Sequence, residues 1–166
     1  MEADRIITTT KKIDLDIQEI TLLSIEETKE YLTREQLATV SWWWLRSPGS
    51  SPYDAACVGS DGGVNAFGNF VYYCDNGVRP ALRIANLDSS NLSKGDIIKV
   101  GGESWTIISD NLALCDRIVE YSAFRADWKA PDANVYEKSD VKKELDKWAL
   151  EHGIVTQENA ELFHMR

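Results

Sequence analysis

Positive charge is scarce in this chain. Its 166 residues carry 18 Lys and Arg against 27 Asp and Glu, a formal net charge of −9. A general nucleic-acid binder needs basic patches to neutralise phosphates, so the balance argues against that class, and no direct nucleic-acid contact is expected. Long apolar runs are missing as well. None approaches the roughly 18 residues that a bilayer-spanning helix needs. The opening MEADRIITTTKK holds no apolar stretch of the kind a secretory signal requires. Together these absences make a cytoplasmic protein without a membrane partner the expectation, in a virion or host cytosol if the chain is phage-encoded.

Metal ligands and catalytic groupings are thin too. The cysteines are three, Cys57, Cys74 and Cys115, widely spaced and forming no CxxC pair, and the two histidines, His152 and His164, fall near the C-terminus. That spacing suits no zinc site, and buried or idle thiols are the plain expectation. No P-loop, EF-hand-like run of oxygen ligands, paired acids or Ser-His-Asp order stands out. No catalytic residue, cofactor or metal is assigned, and the chain is not read as an enzyme.

What is present is apolar material, 43% of residues, enough for one globular domain with a real core. A strand is expected around residues 13–17, where apolar residues alternate, and a short apolar run follows at 20–23. Ser24-Ile25-Glu26-Glu27 then reads as a capping box for a helix at about 25–32, with a second short helix at 34–39. From 41 to 84 glycines, prolines and turn pairs recur, which predicts short strands and loops. Residues 86–94, NLDSSNLSK, read as a polar linker with no packing pattern. Beyond it, 97–100 and 104–108 form an expected hairpin around Gly101-Gly102, and 112–115 with 117–121 another strand pair. Ser139 caps a helix to about His152, with Val141, Leu145 and Trp148 on one face and Gly153 at its end. A short last helix is expected at 158–163.

The stretch DGGVNAFGNFVYYCDNGVR, residues 61–79, crowds aromatic residues around turn signals. A three-residue loop, Ser60-Asp61-Gly62, with Gly62 left-handed pairs Val58 with Val64 and Ala56 with Ala66. Gly68-Asn69 then reads as a two-residue hairpin turn, setting Phe67 opposite Phe70, Asn65 opposite Tyr72 and Val64 opposite Tyr73. One face of this arrangement carries Ala56, Val58, Val64, Ala66, Val71 and Tyr73 and is a core face. The other carries Cys57, Asn65, Phe67, Phe70 and Tyr72. It is a binding surface, a face packed under another loop, or simply a pair of cross-strand aromatics.

Three strings belong together: WWLRSPG at 43–49, the Val58…DG…Val64 hairpin, and GVRPAL at 77–82. They resemble an uncharacterised bacterial and phage domain family in which WWLRSPG leads to V…DG…V strands and closes on GVRPAL. The resemblance implies an α+β, C-type-lectin-like fold of short twisted antiparallel strands, long loops and two main helices. It is similar to the formylglycine-generating-enzyme type and to the variable domains of diversity-generating retroelements, where surface positions vary over a fixed frame. GDIIKVGGESWTII at 95–108 resembles the opening of the same domain, and SDVKKELDKW at 139–148 its first helix. The order is therefore reversed. The usual closing half, 1–85, precedes the linker 86–94 and the usual opening half, 95–166. Such a chain joins its halves internally as a circular permutant, exchanges them in a swapped homodimer, or is cut from tandem repeats.

On this resemblance Trp43, Trp44, Arg46, Asp61, Gly62, Arg79 and Pro80 form the structural frame. Arg46 and Arg79 either satisfy loop carbonyls and a buried acid or take an anion. Of the three tryptophans at 42–44, two are expected to pack and one to stay exposed. Asp61, Asp75 and Asn76 bring calcium to mind, but the turn explains Asp61 better. Cys57 and Cys74 match no reactive-cysteine motif, so formylglycine chemistry is not carried over. The implied function is a non-catalytic recognition module presenting Tyr53, Asn65, Phe67, Phe70, Tyr72 and Asp75 to a protein partner, with a glycan as the other candidate. The alternative is a small acidic phage or mobile-element protein that inhibits a host factor, such as a nucleic-acid-handling enzyme with a basic groove, by protein–protein binding.

Overall fold

A computed structural model describes residues 15–87 and 91–154. The helix expected at 158–163, His164 and the first part of the strand expected at 13–17 lie outside the described residues. In chain order the strands are β1 (Ile17–Thr21), β2 (Trp43–Pro48), β3 (Asp54–Val58), β4 (Val64–Phe70), β5 (Gly77–Val78), β6 (Ala81–Ile84), β7 (Ile97–Val100), β8 (Glu103–Ile107), β9 (Leu112–Cys115) and β10 (Glu120–Tyr121). The helices are α1 (Ile25–Tyr31), α2 (Arg34–Leu37) and α3 (Asp140–Glu151), with a 3-10 turn at Tyr136–Lys138 before α3. The fold is mixed α+β, with two five-stranded sheets and no barrel among the described residues.

The chain divides into two compact units, each assembled from separated stretches. One takes the described residues up to Ile20, Ala81–Asp116 and the described residues from Asp146 onward; the other takes Thr21–Pro80 and Arg117–Leu145.

The first unit holds the sheet ordered β1-β6-β9-β8-β7. Its β7–β8 hairpin pairs Val100 with Glu103 and leaves Gly101 and Gly102 as the turn, at φ 62° and 83°. Positive φ at both central residues matches the twist of the flanking strands, which is why two glycines sit there. The strand at 112–115 does not pair with 117–121, contrary to expectation. β9 lies between β8 (Trp105 opposite Cys115) and β6 (Ala81 opposite Leu114). All four of its residues are buried, as suits an interior strand covered on both faces. Trp105 is fully buried, donates its indole N–H to the Val100 carbonyl at 2.9 Å, and lies 6.4 Å from the Trp148 ring. Gly153, at φ 68°, ends α3. In the segment read as a polar linker, Leu87 and Leu92 are both buried.

The second unit holds the sheet ordered β10-β5-β2-β3-β4. Its centre is β2, where Trp43, Trp44 and Leu45 are all fully buried while Trp42 is exposed. Consecutive buried positions require cover on both faces. Trp43 donates its indole N–H to the Leu37 carbonyl at 3.1 Å. Trp44 donates to the Ser122 carbonyl at 2.8 Å and meets Phe124 edge-on at 5.5 Å. α1 opens on the capping box read from the sequence: the Glu27 N–H donates to Ser24 Oγ at 3.1 Å, and the Ser24 N–H to Glu27 Oε1 at 2.9 Å. A second box, Thr33 with Gln36, opens α2. Ser139 caps α3 by accepting from the Lys142 N–H at 3.0 Å, and Val141 and Leu145 are buried behind it.

Both units interlace the two sequence halves. In the first, β6 from the early half pairs with β9 from the late half; in the second, β5 pairs with β10, Gly77 opposite Tyr121.

Candidate functional site

The aromatic stretch begins at the β3–β4 loop, in the second unit. Val58 pairs with Val64, and the Gly59 N–H donates to the Gly63 carbonyl at 2.9 Å, so the loop is Ser60-Asp61-Gly62. Gly62 has φ 87°, the left-handed conformation expected of it. Asp61 Oδ1 accepts from the Gly63 N–H at 3.0 Å, and Oδ2 accepts from Arg34 Nη2 at 2.8 Å. The Gly63 amide first, and the Arg34 guanidinium second, hold the Asp61 carboxyl below its ordinary value of 3.8. That carboxylate is engaged by its own turn.

One pair further along, the expected register fails. Cys57 pairs with Asn65, but the next pairs are Ala55 with Asn69 and Asp54 with Phe70. Gly68-Asn69 is therefore not a hairpin turn. It lies within a single strand, β4, at a bulge that adds residues to one side of the ladder. Ala56 does not pair with Ala66, and Phe67 does not face Phe70. Gly68 has φ 93°, and a Cβ there would lie 2.3 Å from the Ala55 carbonyl oxygen. Asn65 Oδ1 accepts the Gly68 N–H at 3.1 Å and braces the bulge. A glycine with positive φ beside asparagine serves a tight turn and a bulge equally well, which is why the local signal misled. Gly68→Ala is expected to lower the unfolding free energy by about 2 kcal/mol or more, measured by urea denaturation; an unchanged midpoint would contradict the bulge geometry.

The two expected faces consequently do not form. Ala56, Val58 and Val71 are buried as the core reading required, but Ala66 and Tyr73 are exposed and Val64 is half-buried. Cys57, expected on the open face, is fully buried, and burial pushes its thiol up to about 12 against a weaker opposing backbone bond at Asn69. Cys115 is buried too, whereas Cys74 is exposed. A disulfide-exchange reagent at pH 8 is expected to titrate one thiol promptly in the native protein, and Cys74→Ser to remove it. A second thiol reacting equally fast would show that Cys57 or Cys115 is open.

After β4 the chain bends. The Val71 N–H donates to the Tyr53 carbonyl at 2.8 Å, and the Arg125 N–H donates to the Val71 carbonyl at 2.9 Å. These two bonds draw the loops bearing Tyr53 and Trp128 beside residues 70–73. Phe70 and Tyr72 stack at 5.4 Å with 9° between their planes, and Tyr73 meets both edge-on at 5.7 and 5.6 Å. Trp128 lies 6.0 Å from Tyr72 and 6.0 Å from Tyr53. Five aromatic rings thus form one connected cluster, and each remains between 40% and 44% exposed. The Trp128 loop is itself braced. Arg125 Nη1 donates to the Lys138 carbonyl at 3.0 Å and lies 3.4 Å from Asp132 Oδ1, the Ala126 N–H donates to Asp140 Oδ2 at 2.8 Å, and Asn134 donates to the Ser51 carbonyl at 3.0 Å.

Of the residues singled out from the sequence, Tyr53, Phe70 and Tyr72 come together here. Phe67 is on β4, 76% exposed, and is in none of these ring pairs; Asp75 is exposed in the loop after Tyr73. Asn65 is turned inward to the bulge. Sequence reasoning missed Tyr73, placed in the core, and Trp128, over fifty residues away in RADWKAPD. The signal for Trp128 was a lone large aromatic in an otherwise polar loop.

The frame arginines bond to the protein itself. Arg46 Nη1 donates to the Leu22 carbonyl at 2.6 Å and to Glu27 Oε1 at 2.7 Å, tying the α1 capping box to β2. Arg79 is buried, donates to the Gln36 carbonyl at 3.1 Å, and stands 5.1 Å from the centre of the Trp43 ring. Pro80 beside it is buried. Among the described residues no three His, Cys, Asp or Glu side chains gather as a metal site requires, and no helix is long and apolar enough to cross a membrane.

The fold and site define a mixed α+β protein with an exposed aromatic cluster on a braced loop frame. Residues 10–86, a little under half the chain, match the family model of a domain of unknown function (DUF6273). The match takes in β1 to β6, and with them WWLRSPG, the β3–β4 loop and GVRPAL. No curated protein and no solved structure matches the chain.

Proposed function

We propose that the protein is a non-catalytic recognition module of the C-type-lectin-like class. It presents Tyr53, Phe70, Tyr72, Tyr73 and Trp128, with Phe67 and Asp75 alongside, to a protein partner. The observation that carries this reading is the cluster itself: five rings in mutual contact, each at least 40% exposed. Rings held by one another lose little conformational freedom on binding, and Tyr and Trp are the side chains that most often dominate recognition surfaces. Arg46, Arg79, Trp43 and Trp44 act as the frame that fixes the loops.

The lectin-like assignment rests on the strings in β2, β3–β4 and β5–β6, all inside the matched family segment. Internal joining of the permuted halves is supported by the pairing of β6 with β9 and of β5 with β10 within one chain, so we propose a monomer rather than a swapped dimer. The reading is tested by placing a photo-cross-linking residue at Tyr72 and, as a control, at exposed Lys99. Irradiation in lysate of the source organism is expected to give a discrete adduct from position 72 and none from 99. The same adducts from both positions, or none from 72, would defeat the recognition reading for this surface.

A further inference from the structure

Acidic residues neighbour the ring cluster along the chain and across one strand pair, and they point to the kind of partner the surface suits. Between Arg46 and Arg79 the chain contains no Lys or Arg, while Asp54, Asp61 and Asp75 all fall in that interval. Asp54 pairs with Phe70 across the β3–β4 ladder, Asp75 follows the Tyr72-Tyr73 pair by two residues, and Asp127 precedes Trp128. Asp75 and Asp127 are exposed and Asp54 is half-buried. Of the basic groups in the Trp128 loop, Arg125 is held by Asp132 and by backbone carbonyls. The other, Lys129, stands with its ammonium 5.4 Å from the centre of the Trp128 ring. One ring of the cluster therefore already takes a cation from within the chain.

Aromatic faces carry negative potential, and neighbouring carboxylates add to it, so rings and carboxylates attract the same kind of group. A net charge of −9 steers cationic surfaces toward the protein at longer range. A neutral glycan would stack on the ring faces and donate its hydroxyls to the carboxylates, but only a cation also gains net charge attraction to them and long-range steering. Resting on the recognition reading above, we propose that the cluster's partner is a basic protein segment. Its Arg or Lys side chains lie against the rings, with their charges toward Asp54, Asp75 and Asp127.

The test follows the ring protons and the Trp128 indole N–H by NMR in the full chain. An arginine–glycine repeat peptide is titrated, then its citrulline counterpart of equal length, then neutral chito- and cello-oligosaccharides. The arginine peptide is expected to shift the cluster signals, and its affinity to fall about tenfold from low to moderate salt. Both Tyr72→Ala/Trp128→Ala and Asp75→Asn/Asp127→Asn, each first shown to fold, should weaken it by about tenfold. Citrulline binding equally well, or oligosaccharides alone shifting the rings, would overturn the cationic partner and leave the recognition surface standing. Arginine binding that ignores the ring substitutions would reduce the effect to bulk charge and also overturn the proposal. So would no shift with any probe, in which case the cross-linking at position 72 decides separately whether the surface recognises anything.

Discussion

Trp44→Ala is expected to lower the unfolding free energy by about 4 kcal/mol, the scale for emptying a large aromatic site in a core. Trp44 is fully buried on the central strand of its sheet. Its substitution removes three things at once. The cavity replaces a ring that meets Phe124 at 5.5 Å, the apolar surface of an indole is lost, and the Ser122 carbonyl loses the N–H that donates to it at 2.8 Å. Trp44→Phe separates these contributions. It keeps most of the packing and deletes the hydrogen bond, and is expected to cost about 1–3 kcal/mol. Urea denaturation of both variants gives the two numbers. Near-equal losses would mean the bond outweighs the packing, and a loss under about 1 kcal/mol for Trp44→Ala would remove Trp44 from the core.

The opposite balance is expected at the cluster. Phe70→Ala/Tyr72→Ala/Trp128→Ala removes three rings but should lower stability by less than about 3 kcal/mol in total, less than Trp44 alone. Each ring is at least 40% exposed, so much of its surface is wet before and after substitution. What is lost is chiefly ring–ring attraction, roughly 0.5–1.5 kcal/mol for a well-packed pair and less at an exposed one. Partner affinity should fall at least about a hundredfold, because central aromatic anchors commonly contribute 2 kcal/mol or more each. Stability is read from urea midpoints and affinity from the partner identified by cross-linking. A large stability loss with intact binding would make the cluster a misplaced piece of core.

What the sequence made legible was local. Ser24 and Glu27 sit at the spacing of a capping box, and the box forms. Gly101-Gly102 between two apolar runs requires positive φ twice and turns a hairpin. The three consecutive tryptophans divide two in and one out, with the adjacent Trp43 and Trp44 both buried because β2 is covered on both faces. The loop before Val64 has the length and the left-handed glycine that its residues imply. Elsewhere the local signal was ambiguous or silent. Gly68-Asn69 is as good a bulge as a turn, and only the continuation of β3 to Asp54, opposite Phe70, decides between them. β9 and β10 find partners far off in sequence, β6 and β5, and periodicity carries no record of such pairing. For the same reason Trp128 could not be linked to Tyr72. Their proximity depends on the hydrogen bond from Arg125 to Val71, which no motif announces.

The central claim is that the ring cluster exists to bind. Its most direct test is capture from lysate of the source organism, with wild type beside the folded Phe70→Ala/Tyr72→Ala/Trp128→Ala variant. A protein retained by wild type and absent from the variant is the predicted result. Equal capture by both, or capture by neither, would contradict the claim.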